Sequence, residues 1–209
     1  MKRIVKLSEP QTFSAWKTKF QAEKGRKPTY MDLVGKEKQD LKETLLDEQG
    51  YICCYCMKRI ETYNSHIEHF RPKSDPKYSA LDLDYNNMFA SCNGAKENGE
   101  NCGHRKDAWF DENTTVCPLE EDVEELFTYL PNGEIIAANG NPGAAETIDR
   151  FGLDTKLLTN HRYAAIRAAI NQGALKDVDD WLSFFEEKDA DGCYQPFCQA
   201  VVCVLRSLA

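Results

Sequence analysis

Two kinds of reactive side chain crowd one stretch of this sequence. Cys53 and Cys56 form a C-x2-C pair within Ile52-Cys53-Cys54-Tyr55-Cys56. Two thiolates at that spacing can grip one zinc ion from a tight turn, with the intervening Cys54 pointing away. One such pair is a weak signal, and Cys92 with Cys102 supplies a second. Nine residues, Asn93 to Asn101, separate them; they are polar and include two glycines, so they can loop out at small entropic cost. Four thiolates make a closed tetrahedral site, which is structural rather than catalytic. Between the pairs lies His66-Ile67-Glu68-His69-Phe70-Arg71-Pro72-Lys73, and three of the four histidines (His66, His69, His104) fall within residues 51–110. Buried cysteines gathered by chance, or a solvated Glu-His pair on an ordinary strand, are the plain alternatives. Neither explains why one cluster of ligand types nests inside another.

Flanking elements must position these residues. A helix is expected from near Asp32 or Lys36 to Glu48, with Leu41 and Leu45 on one face and Gly50 at its C-terminal cap. Lys24 to Lys27, closed by Pro28, reads as a loop. Leu126 to Ala138 reads as a hairpin turning at Pro131-Asn132-Gly133. From Gly143 onward the pattern is helical. Tyr163, Ile166 and Ile170 form one apolar stripe; Phe197, Ala200, Val201, Val204, Leu205 and Leu208 form another, starting just after Pro196. Both are expected to pack in the core.

The central residues resemble the HNH nuclease family. In that family an acidic residue or histidine precedes a catalytic histidine on a strand, followed by a proline, an asparagine, and a third His or Asn near a lysine. Here stand Glu68-His69, Pro72, Asn87, and His104 with Lys106. The resemblance implies that Glu68 and His104 hold a catalytic divalent ion, Mg²⁺ or Mn²⁺, that His69 is the general base, and that Asn87 shapes the loop through backbone hydrogen bonds. Phosphodiester hydrolysis needs such an activated water and a cation to stabilise developing charge. Neighbours on a strand point to opposite faces, so a twist or bulge is expected to reconcile Glu68 with His69. His66 is read as structural, with an outer partner of the metal as the alternative. Arg71, Lys73, Arg105 and Lys106 are expected phosphate contacts. Gly103 separates Cys102 from His104, where many HNH proteins place the two positions side by side, and the Cys92–Cys102 gap is longer than the common spacing.

The string His66 to Ser74, with Cys53 to Cys56, Asn87 to Cys92 and Cys102 to Asp107, looks more narrowly like the HNH nuclease subunits of Septu anti-phage systems, the PtuB family. Similar proteins accompany some retrons. The resemblance covers about 60 residues and implies a partner, an ABC/SMC-type ATPase of the PtuA kind, and a nucleic-acid substrate, DNA first.

Bulk properties set the frame. The 209 residues are 42% hydrophobic, enough for a core. No signal peptide or membrane-spanning run is seen, so a cytoplasmic protein is expected. Nine cysteines in a reducing compartment favour metal binding over disulfides; Cys117, Cys193, Cys198 and Cys203 are scattered and given no role. The net charge of −8 is uneven: residues 1–50 carry 11 basic and 8 acidic side chains, residues 51–110 carry 8 of each, and residues 111–209 carry 7 and 18. The acidic segment should repel phosphates and face solvent or a protein partner. The expected fold is α+β: an N-terminal helical extension (1–50), a zinc-stapled ββα-metal core (51–110), and a hairpin followed by acidic C-terminal helices (111–209). The expected activity is a metal-dependent endonuclease acting on DNA. An RNA-cleaving enzyme of the same chemistry and a non-catalytic zinc-stapled adaptor are the rivals.

Overall fold

The computed structural model describes residues 1–94, 101–173 and 178–208. Helix α1 (Gln11–Lys24) buries Phe13, on which Trp16 stacks with centroids 5.8 Å apart, and ends at a left-handed Gly25. A 3₁₀ turn at Tyr30–Asp32, closed by a Thr29/Asp32 capping box, leads into α2 (Gly35–Glu48). The latter buries Leu41, Leu45 and Leu46, so its expected face is the observed one. Gly50 lies two residues past α2 with φ 62°. A side chain there would meet Tyr194, its Cβ 2.5 Å from Cδ2 and 3.0 Å from the backbone nitrogen. Only glycine combines that dihedral with so close an approach, and the approach is used: Tyr194 N donates to Gly50 O at 3.0 Å.

Strand β1 (Ser65–His69) pairs antiparallel with β2 (Met88–Cys92) in unbroken register from Ser65↔Cys92 to His69↔Met88. All five residues of β2 are buried, as befits a strand covered on both faces. After Cys102 comes a single helical turn, α3 (Gly103–Lys106). Strands β3 (Phe127–Tyr129) and β4 (Ile135–Ala137) form the expected hairpin, with Leu130 N donating to Glu134 O across the Pro131-Asn132-Gly133 turn. Asn141 caps α4 (Pro142–Phe151) by accepting from Ala144 N, with Pro142 at the first helical position. Helices α5 (Lys156–Gly173), α6 (Val178–Glu186) and α7 (Cys198–Leu208) complete the chain, α7 packing on α5, α6 and β3.

The architecture is α+β, helices with two small antiparallel sheets. No helix among the described residues is long and apolar enough to cross a membrane. The apolar stripes need two corrections. Tyr163 is 47% exposed and Leu208 63% exposed. The buried line on α5 runs instead through Leu158, Arg162, Ile166 and Ala169. Arg162 takes the core position next to Tyr163 because each of its guanidinium nitrogens finds an acceptor inside: Nε donates to Gly133 O at 2.6 Å, Nη1 to Leu153 O at 2.9 Å, and Nη2 to Thr159 Oγ1 at 3.3 Å. A buried charge so satisfied can replace an apolar residue. On α7, Leu208 lies at the solvent end of a stripe whose Ala200, Val201 and Val204 are buried.

Candidate metal centre and catalytic cluster

The C-x2-C segment folds as a small hairpin. Ile52 bridges Arg59, Cys53 N donates to Lys58 O at 2.9 Å, Met57 N returns to Cys53 O at 3.0 Å, and Met57 takes a left-handed φ of 63°. Cys54 N then donates to Ala90 O, fastening this knuckle to β2. Cys102 is held from the other side, its N–H donating to Phe151 O at the end of α4 at 2.7 Å. The outcome is a buried quartet: one sulfur each from Cys53, Cys56, Cys92 and Cys102, all within 4.8 Å of one another, with Cys56 and Cys92 at 3.9 Å. Four sulfurs about 2.3 Å from one zinc stand roughly 3.8 Å apart, so the quartet can hold a metal such as zinc. Cys54 is buried but outside it. The polar insert between Cys92 and Cys102 lies largely outside the described residues, at 95–100.

The surroundings favour a thiolate at Cys53 and oppose one at Cys56 and Cys102. Asn101 Nδ2 donates to Cys102 Sγ at 3.2 Å and Cys92 N to Cys53 Sγ at 3.4 Å. Burial opposes ionisation of Cys53, yet neighbouring thiols, Cys102 first, outweigh it and bring its pKa well below the usual thiol value; burial pushes Cys102 well above. A divalent cation at the centre would let all four ionise together.

The second cluster is built on the two faces of β1. Glu68, 7% exposed, has its Oε1 at 3.0 Å from Lys106 Nζ and 3.3 Å from the Tyr55 hydroxyl, and its Oε2 at 3.4 Å from His66 Nε2. Burial raises its pKa, but His66 and the Lys106 ammonium together hold it below the ordinary value. His69 faces elsewhere. Its ring stands edge-on to Tyr30, centroids 4.5 Å apart, and its Nε2 lies 2.9 Å from Asp82 O. A carbonyl can only accept, so Nε2 carries the hydrogen and Nδ1 carries the lone pair. Nδ1 has no hydrogen-bond partner among the described residues. Burial lowers the His69 pKa to about 4, helped by Lys73 and opposed by the Asp82 carbonyl and Glu68. No bulge reconciles Glu68 with His69; the register is regular through His69, and the tie between the two is Lys106, whose Nζ also donates to His69 O at 2.9 Å.

Asn87, 2% exposed, makes three bonds to backbone: Nδ2 donates to Arg71 O and Leu81 O, and Oδ1 accepts from Arg71 N at 2.8 Å. It clasps both ends of the loop between β1 and β2. His104 is exposed on α3, its ring 4.8 Å from that of His66; among the described residues the cysteine quartet is the one group of three or more ligand atoms already gathered for a metal, so His66, Glu68 and His104 are near one another without being so gathered.

Of the four expected phosphate contacts, Lys73 and Arg105 are exposed and Arg71 half-buried beside Phe70 and Phe110. Lys106 is a correction. It is 1% exposed, its ammonium spent on Glu68 and His69, and a phosphate cannot reach it. Its position one helical turn after Cys102 was the available signal: residues four apart share a helix face, and Cys102 faces inward. Tyr30 and Tyr55, which touch His69 and Glu68, had no such signal, because they are brought in by the fold from 39 and 13 residues away.

No family model matches the chain. Two similar proteins are the "Retron Ec83 putative HNH endonuclease" of Escherichia coli, 27% identical over 161 residues, and the "Retron Vc95 putative HNH endonuclease" of Vibrio cholerae serotype O1 biovar El Tor, 30% identical over 88 residues. The alignments take in 58% and 40% of this chain, and 62% and 43% of those relatives. The chain thus matches less than two thirds of either relative's length. The likeness supports an HNH nuclease family, a hydrolase, at a distant level.

Proposed function

We propose that this chain is a metal-dependent HNH endonuclease that hydrolyses phosphodiester bonds, DNA being the first substrate, and that it acts in anti-phage defence beside an ABC/SMC-type ATPase. The supporting observation is the His69 ring, 5% exposed: one nitrogen is anchored as a donor on Asp82 O, and the other is buried with no hydrogen-bond partner among the described residues. A histidine held neutral at pH 7 with its acceptor nitrogen unpaired can take a proton from water once the residues covering Nδ1 part to admit one. The Septu likeness and the names of the two relatives supply the rest of the reading. Structural zinc on Cys53, Cys56, Cys92 and Cys102 would fix the ends of β2 and α3.

In the proposed reaction His69 Nδ1 accepts the proton of the attacking water, and the Asp82 carbonyl keeps the ring in orientation as it becomes cationic. Glu68, with His104 as the family match has it, would hold the catalytic ion, Mg²⁺ or Mn²⁺. When bound, that ion would stabilise charge on the phosphate and the leaving oxygen. Lys106 keeps Glu68 ionised and in place. Arg71, Lys73 and Arg105 would contact the backbone.

The test is His69→Ala, assayed on plasmid, single-stranded DNA and tRNA at graded Mg²⁺ and Mn²⁺. Loss of a general base costs on the order of 10²–10⁴-fold in rate; zinc content should be unchanged, because His69 is outside the quartet, and the fold is checked by circular dichroism, because the ring is buried against Tyr30. Full activity in the folded variant would refute the nuclease reading and favour the adaptor. Preferential cleavage of tRNA would replace DNA with RNA.

A further inference from the structure

His66 stands where the simple structural reading does not account for it. Its Nδ1 lies 3.2 Å from Asn93 Oδ1, an atom that only accepts, so Nδ1 carries a hydrogen. In the neutral ring Nε2 is then an acceptor, and it points at another acceptor, Glu68 Oε2, 3.4 Å away. Two lone pairs so placed call for a cation between or before them. A Cβ at position 103 would lie 2.5 Å from Glu68 Oε2 and 2.7 Å from His66 Nε2. Gly103 therefore lets both atoms stand against its backbone, where any side chain would collide with them. No positive φ demands glycine there; the close approach of the two acceptor atoms does.

The dimensions suit a metal. Two ligand atoms about 2.1 Å from one ion are roughly 3.0 Å apart at a right angle and 3.4 Å apart at the tetrahedral angle. The other oxygen of Glu68 is occupied by Lys106, so Oε2 is the one free to coordinate. The His66 side chain is 30% exposed against 9% for Glu68, which gives the ion a way in from the histidine side.

We infer that His66 Nε2 and Glu68 Oε2, brought together beside the Gly103 backbone, hold the divalent ion between them. The inference rests on the metal-dependent reading above and changes its ligand set: His104, exposed beyond His66, is an additional ligand only after its ring turns inward. A nitrogen ligand also shifts preference from Mg²⁺ toward Mn²⁺ and later first-row ions.

The experiment uses the zinc-loaded full chain and Mn²⁺ alone. Calorimetric titration should find one Mn²⁺ site besides the zinc, and pulsed electron resonance should show modulation from a directly bound ¹⁴N. His66→Ala should weaken Mn²⁺ binding by about 10-fold or more and remove that nitrogen signal, with one zinc still present by elemental analysis. Gly103→Ala, which leaves both ligands in the sequence, should weaken binding too. A histidine with only a structural role would lower thermal stability and leave Mn²⁺ affinity unchanged. Affinity in His66→Ala within twofold of the parent would overturn the inference while leaving the nuclease reading in place. Absence of a nitrogen signal in the parent would overturn it without recourse to a variant. Loss of Mn²⁺ binding in His66→Ala, in a chain that cuts no nucleic acid, would uphold the metal ligand and remove the nuclease.

Discussion

Lys106→Met removes the buried ammonium 3.0 Å from Glu68 Oε1 and leaves a carboxylate that is 7% exposed. Removing one partner of a buried pair costs about 3–5 kcal/mol. Glu68 can escape by taking a proton, and that sets a ceiling. Starting from the ordinary glutamate value of 4.5, protonation costs about 1.4 kcal/mol per pH unit, hence about 2 kcal/mol at pH 6 and nearly 5 at pH 8. In the parent, Glu68 has a lowered pKa, so its contribution is present above pH 4.5 and is lost as pH falls. In the variant, burial raises the pKa instead, so the penalty grows as pH rises. For a chain of this size each kcal/mol moves Tm by about 2–4 °C. Thermal unfolding without added divalent ion should therefore show a loss of about 4–8 °C at pH 6 and about 6–20 °C at pH 8. Adding Glu68→Leu to Lys106→Met should recover most of the loss, since an apolar pair of similar volume is often as stable as the buried ion pair. Equal losses at both pH values, or none at pH 8, would refute the idea that Lys106 is there to balance Glu68.

Cys56→Ser should abolish stoichiometric zinc and leave the chain insoluble or strongly destabilised, because metal binding is folding free energy in such sites; elemental analysis of the parent that finds no metal in well-folded protein would contradict this. Asn87→Ala strands Arg71 N, Arg71 O and Leu81 O, for a cost of about 2–4 kcal/mol; hydrogen exchange should speed up selectively in residues 70–87, and uniform exchange across the chain would contradict the local role.

The cysteine quartet was legible because ligand type and short spacing carry the information locally: a C-x2-C pair is a turn before it is anything else. The face of α2 was legible for the same reason, since Leu41 and Leu45 repeat at helical spacing. Periodicity misled at α5, where Arg162 holds a core position through backbone carbonyls supplied by Gly133 and Leu153, and no pattern in the helix itself announces carbonyls elsewhere. Lys106 was misread for a related reason. As a sequence letter it is a charge near a phosphate site; its partner Glu68 lies 38 residues earlier, and only the paired strand and α3 bring them together.

Chain order at the cysteine quartet bears on how the metal arrives. The four ligands are complete once Cys102 has been made, yet part of their enclosure comes much later. Cys102 is tied to Phe151, and the knuckle is closed over by the segment before α7, where Phe197 N donates to Met57 O, Tyr194 N to Gly50 O, and Arg59 Nη2 to Tyr194 O. During synthesis at about 5–20 residues per second, the roughly hundred residues between the last ligand and that closing segment take several seconds or more. Throughout that interval the thiols would stand as a complete but less enclosed chelate, within easier reach of a metal ion and of oxidants. For a metal-filled quartet, supply to the nascent chain would then weigh more than exchange into the finished protein. If zinc is that metal, its starvation should be felt by newly made molecules more than by those already folded.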